Sequence, residues 1–150
     1  MNPMNSFVQI VLVETSHPGN IGSVARAMKN MGLSNLALIK PKKFPHQEAI
    51  ALAGNAVDIL NEAKTFNSID SAVQNSKVIY ATSARERTID WPTLTARDAA
   101  DEIHELATNK IEVSILFGRE DRGLTNEELQ LANKHLIIPA HPEYPVLNIA

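Results

Sequence analysis

The chain has 150 residues, of which 44% are hydrophobic and 21% charged, and it carries a formal net charge of −3. Its length suits one domain, and its composition excludes a disordered chain. The absence of cysteine excludes disulfide scaffolds, thiolate metal sites and a cysteine nucleophile, and makes the cytoplasm the expected compartment. The apolar runs are strand-sized, so no membrane-spanning helix is expected. Met1 to Ser6 lacks the positive charge of a signal peptide. Charge is unevenly spread: residues 1–50 hold five Lys/Arg against two Glu, residues 101–150 four against nine Asp/Glu. That distribution permits a basic face on an acidic protein.

In chain order, the first strand is expected over Phe7–Val13. A helix follows, with Ile21, Val24, Ala25, Met28 and Met31 as its apolar stripe, Asn20 as N-cap and Gly32 as stop. Leu36–Ile39 reads as the second strand. Ala49–Ala63 reads as a helical region interrupted near Gly54-Asn55, and Ser68–Val73 as a short helix. Further strands are expected at Lys77–Ala81, Val113–Phe117 and Leu136–Ile138. Helices are expected at Thr95–Thr108 and from Thr125, where Thr125 and Glu128 form a capping-box pattern. Strands alternating with helices imply an α/β domain with a mainly parallel sheet flanked by helices.

Three segments carry chemistry, each just after a strand, where parallel α/β folds place ligands. The first is His17-Pro18-Gly19-Asn20-Ile21-Gly22-Ser23-Val24-Ala25-Arg26, with Arg26 expected just past the first helical turn and able to reach back over the corner. The alternative there is a capped helix with a solvated arginine. The second is Phe117-Gly118-Arg119-Glu120-Asp121-Arg122-Gly123-Leu124, whose two glycines allow close backbone approach and whose four consecutive charges exceed what a structural turn needs. The third is Thr82-Ser83-Ala84-Arg85-Glu86-Arg87-Thr88, with hydroxyls for a small polar ligand and arginines for phosphate; a solvated loop is its bland alternative. No dinucleotide fingerprint, phosphate loop or serine-hydrolase elbow is present. The five histidines (17, 46, 104, 135, 141) lack metal-ligand spacing, and each is read as a surface or capping residue.

Together, residues 17–32, 116–129 and Tyr144-Pro145-Val146-Leu147-Asn148-Ile149-Ala150 resemble the SPOUT class of knotted RNA methyltransferases. Within it they are similar to the bacterial tRNA ribose 2′-O-methyltransferases that act at anticodon-loop position 32. The resemblance covers nearly the whole chain and implies an α/β knot with a C-terminal trefoil, a homodimer joined through the knot region, and S-adenosylmethionine bound among three loops. It implies cofactor contacts from Thr82, Ser83 and Ala84, then Gly118, then Ile138, then Pro145, Val146 and Leu147. Arg26 takes the position of the catalytic arginine and also meets RNA; Arg87 and Arg119 are the further expected RNA contacts. No metal is implied. Many relatives have serine where Val146 stands here. Relatives also continue past Ala150 into the knot-forming helix and a tRNA-holding extension, so residues 1–150 are expected to be one methyltransferase domain lacking them, with weakened cofactor binding and dimerisation. A non-catalytic knotted RNA-binding module is the main rival reading, and a generic nucleotide-binding α/β protein of flavodoxin-like shape the second.

Overall fold

A computed structural model describes residues 6–83 and 93–138. Seven strands, β1 (Val8–Val13), β2 (Asn35–Ile39), β3 (Lys64–Phe66), β4 (Val78–Ser83), β5 (Thr93–Thr95), β6 (Val113–Phe117) and β7 (Lys134–Ile137), form one sheet. Their order is β3-β2-β1-β6-β4-β7-β5, and every pairing is parallel. The helices are α1 (Pro18–Asn30), α2 (Gln47–Ala53), α3 (Val57–Glu62), α4 (Ile69–Val73), α5 (Ala96–Thr108) and α6 (Asn126–Leu129). A 3-10 turn over Gly54–Ala56 makes the interruption expected between α2 and α3.

The two-residue alternation of the strands divides the core. Ile10, Leu12, Leu36 and Leu38 pack with α1, α2 and α3 on one face, while Val11, Val13, Ala37 and Ile39 pack with α4 and α6 on the other. Ile115 touches both the α1 cluster and the cluster around Tyr80, Ala99 and Leu136, so α5 covers the same face as α1. Buried on both faces, the central strands read as continuous apolar runs. The polar exception in β1, Gln9, donates its amide to the Ala72 carbonyl at 3.0 Å and to Ser114 Oγ at 2.8 Å.

Several expectations are corrected. Helix α1 begins at Pro18 with His17 at the N-cap position, not Asn20. Proline's fixed φ and missing N–H favour the first helical position, so the helix starts earlier. Met31 is 62% exposed, off the stripe, because the chain leaves the helix there through Gly32 at φ 77° and Leu33 packs on the core instead. His135 is buried, 2% exposed, with its ring nitrogen bonded to the Leu129 carbonyl at 3.0 Å. His46 does cap a helix, accepting from the Glu48 amide. Strands β3 and β5 escaped notice because each is a three-residue edge strand with little apolar content.

Thr15 is 1% exposed, and its Oγ1 is the one buried side-chain polar atom among the described residues without a hydrogen bond. A buried hydroxyl left unpaired costs about 1–3 kcal/mol. Thr15→Val should therefore be neutral or raise stability by about 1 kcal/mol in denaturant unfolding. A clear destabilisation would show that the hydroxyl finds a partner.

Candidate functional site

The strand order turns back between β1 and the β6-β4 pair, and at such a switch the strand carboxyl ends open a crevice. There the second and third expected segments meet. Thr82 and Ser83 end β4, both buried, and Gly118 follows β6. Thr82 Oγ1 donates to the Leu116 carbonyl at 2.9 Å, tying β4 to β6. The Ile138 amide donates to the Ser83 carbonyl at 2.9 Å, tying β4 to the end of β7. Thr82, Ser83, Gly118 and Ile138 thus share one rim across three adjacent strands. Ala84, Arg87, Pro145, Val146 and Leu147 lie outside the described residues, as does the expected C-terminal knot.

The second segment closes on itself as a hairpin. Arg119 and Gly123 exchange backbone hydrogen bonds of 3.2 and 2.8 Å, and Gly123 has φ +70°. A Cβ on Gly118 would stand 2.2 Å from the Gly123 carbonyl carbon and 2.3 Å from the Leu124 nitrogen. The close approach that Gly118 allows is therefore to the chain's own backbone. In α1, Gly22 does the same for helix packing, since a Cβ there would lie 2.2 Å from the Ala49 carbonyl oxygen of α2.

Of the four consecutive charges, the first two are turned inward. Arg119 makes a two-point contact with Glu128, at 2.8 and 2.9 Å, and a 2.5 Å bond to Glu14. Glu128 also completes the capping box, accepting from the Thr125 amide while its own amide bonds to Thr125 Oγ1. The guanidinium therefore joins the end of β1 to the start of α6, and its charge is held by two carboxylates. The hydrogen bond from Arg119 keeps Glu14 below the usual carboxylate range, against some burial. Burial opposes ionisation of Glu128 more strongly, yet Arg119 and the Thr125 amide still hold its pKa down. Both carboxylates in turn raise the pKa of Arg119.

Glu120 reaches into the first segment. Its carboxylate accepts from the amides of Ser16 (3.1 Å) and His17 (3.0 Å), from Ser16 Oγ (3.1 Å) and from Asn20 Nδ2 (3.0 Å). Burial works against the charge, but the His17 and Ser16 amides outweigh it and bring the pKa to about 2. Asn20, expected as a helix cap, instead donates to a carboxylate 100 residues away. Glu14 escaped notice because Arg119 lies 105 residues distant in sequence, and the inward role of Glu120 did because Ser16 lies 104 residues away.

Arg26 is exposed, and its side chain forms no hydrogen bond or ion pair with a described residue. Because α1 starts at Pro18, Arg26 lies about 12 Å along the axis from the corner, at about 1.5 Å per residue. It therefore stands more than two turns into the helix, not just past the first turn as expected. Asp121 and Arg122 are exposed, with 3.7 Å between their charged groups. Among the described residues no group of three or more acidic or histidine side chains could hold a metal ion. Nor is any helix there long and apolar enough to cross a membrane.

Residues 8–150 match the SpoU rRNA Methylase family. Over 143 residues the chain is 50% identical to the tRNA (cytidine/uridine/adenosine-2′-O-)-methyltransferase TrmJ of Pseudomonas aeruginosa (strain UCBPP-PA14), covering 95% of this chain and 56% of that protein. It is 49% identical to the tRNA (cytidine/uridine-2′-O-)-methyltransferase TrmJ of Escherichia coli (strain K12), over 95% of this chain and 58% of that one. Among solved structures it resembles TrmJ from Z. mobilis ZM4 with a TM-score of 0.87 and 37% identity, over 94% of this chain and 62% of that chain. The chain spans little more than half the length of the curated relatives it matches.

Proposed function

The chain belongs to the SpoU rRNA methylase family, and from that premise we propose that it transfers a methyl group from S-adenosylmethionine to a tRNA ribose 2′-OH. The observation that carries this reading is the meeting of Thr82, Ser83, Gly118 and Ile138 on one rim, in a chain half identical to a tRNA 2′-O-methyltransferase. The residues fit the cofactor by their chemistry. Neutral hydroxyls and backbone edges, beside the half-buried Phe117 and Ile138, suit an adenine ring with its polar edge and a ribose. Ala84, Pro145, Val146 and Leu147 complete the proposed contacts, within a C-terminal trefoil knot.

S-adenosylmethionine supplies an electrophilic methyl carbon on a sulfonium. The chain's task is to hold the ribose oxygen in line with that carbon and to favour loss of its proton. The hydroxyl proton would pass to a neighbouring phosphate or water. Arg26 is no literal base, since a guanidinium offers only hydrogen-bond donors and no acceptor. Its role is to grip a substrate phosphate and stabilise the negative charge growing on the ribose oxygen, with Arg87 as a further RNA contact. Arg119, already held by Glu14 and Glu128, enters this reading as the tie that shapes the rim. A homodimer is the proposed assembly, joined through the knot region. Anticodon-loop position 32 is the proposed target, and the cytoplasm the proposed compartment.

The test is incubation with labelled S-adenosylmethionine and unmodified tRNA, followed by mapping of 2′-O-methyl nucleotides. Transfer to one anticodon-loop ribose is expected. RNA binding without transfer would leave a non-catalytic RNA-binding module. Arg26→Lys should slow single-turnover transfer by about tenfold or more, because a point charge cannot replace a planar two-point grip. Near wild-type turnover would remove that grip from the mechanism.

A further inference from the structure

Charge at the carboxyl end of the sheet is sorted by direction. Glu14, Glu120 and Glu128 spend their carboxylates on Arg119 and on the amides that open α1 and α6. Lys40, Lys42 and Lys43, in the connection from β2 to α2, are all exposed, and residues 40–47 contain no acid. Neither Lys40 nor Lys43 pairs with a described carboxylate. Lys42 lies 3.6 Å from Glu14, whose carboxylate is held closer by Arg119 at 2.5 Å. Glu48 in the first turn of α2 and Asp70 in the first turn of α4 are the exposed acids that follow the connection and the neighbouring strand.

This connection is fixed to the body at several points. The Lys40 amide donates to the Phe66 carbonyl at 3.0 Å, and the Lys42 amide to the Thr15 carbonyl at 3.1 Å. Phe44 packs against the core, and His46 caps α2. Three ammonium groups therefore stand on an anchored backbone bonded directly to the β1–α1 corner. A lysine-rich loop whose only task is solubility needs no such anchoring. On a chain of net charge −3, this sorting leaves a local positive ridge.

We propose that Lys40, Lys42 and Lys43 form a phosphate-binding ridge that holds the backbone of the RNA substrate beside the β1–α1 corner. This deepens the methyltransferase reading and rests on it for the identity of the nucleic acid. Lysine ammonium groups act as point charges on phosphates, so the ridge supplies affinity and register without reading bases.

The test compares wild-type protein with the Lys40→Gln/Lys42→Gln/Lys43→Gln variant in binding an unmodified tRNA transcript by fluorescence anisotropy across a potassium chloride series. Each lost phosphate contact lowers the slope of log affinity against log salt by about one. The variant should lose about two to three units of slope and bind roughly ten- to a hundredfold more weakly at about 0.1 M salt. Its thermal unfolding and S-adenosylmethionine affinity should match the wild type, and the Lys→Arg triple variant should bind RNA like the wild type. An unchanged slope in the glutamine variant overturns the ridge, and if methyl transfer still proceeds, the activity stands without it. If wild-type protein binds tRNA without transferring methyl and the variant loses the slope, the ridge stands and the activity falls. No RNA binding by wild-type protein overturns both.

Discussion

Gly118→Ala should lower stability by about 3 kcal/mol, a fall in Tm on the order of 10 °C. The added methyl would stand 2.2 Å from one backbone atom and 2.3 Å from another. No side-chain rotation relieves a clash with backbone, so the hairpin from Arg119 to Gly123 must open. Opening it shifts Arg119, and with it the two-point contact to Glu128 that starts α6. Under the proposed function, S-adenosylmethionine affinity should fall with stability, because Gly118 follows the strand that Thr82 grips. Thermal unfolding and calorimetric titration check both effects. An unchanged Tm would mean that the hairpin can relax without cost, and an unchanged affinity would remove this loop from the cofactor rim.

Glu120→Gln should cost about 2 kcal/mol at neutral pH, since hydrogen bonds to a charged group contribute about 1.5–3 kcal/mol each and one amide oxygen can replace part of the set. The carboxylate accepts from two backbone amides, a hydroxyl and a side-chain amide, whereas a glutamine turns an NH2 toward some of those donors. The effect should depend on pH with a definite sign. The folded pKa of about 2 lies below the ordinary value of 4.5. The stabilisation is therefore complete above the ordinary value and is lost as pH falls through the folded one. The gap in Tm between wild type and variant should be widest near neutrality and narrow as pH drops from about 4.5 toward about 2. A gap that stays constant across this range would assign the loss to shape instead of charge.

The sheet was legible in the sequence where most of a strand is buried. Apolar runs at Val8–Val13 and Val113–Phe117, each broken by a single polar residue, leave little choice of state. The capping box at Thr125 and the break at Gly54 were legible too, because both are local chemistry. Edge strands β3 and β5 were not, since pairing on one side alone makes such short segments extended. The meeting of Thr82, Ser83, Gly118 and Ile138 followed from their positions after strands, but the purpose of the charges between the two glycines was not legible. Arg119 was read as an RNA contact and the run of charges as more than a turn needs, whereas Arg119 and Glu120 both face inward. Their partners, Glu14, Ser16, His17, Asn20 and, nearer in sequence, Glu128, include groups that only the completed sheet brings near.

The position of β6 between β1 and β4 also has a consequence in time. As the chain leaves the ribosome, β1, β2 and β3 can pair as soon as they emerge, but β1 and β4 have no edge in common until β6 arrives to bridge them. The seam between the two halves therefore closes late, through contacts of high sequence separation, and such closure is slow. Until then the exposed flanks of β1 and β4 are open to mispairing, which makes this interval the chain's greatest exposure to aggregation.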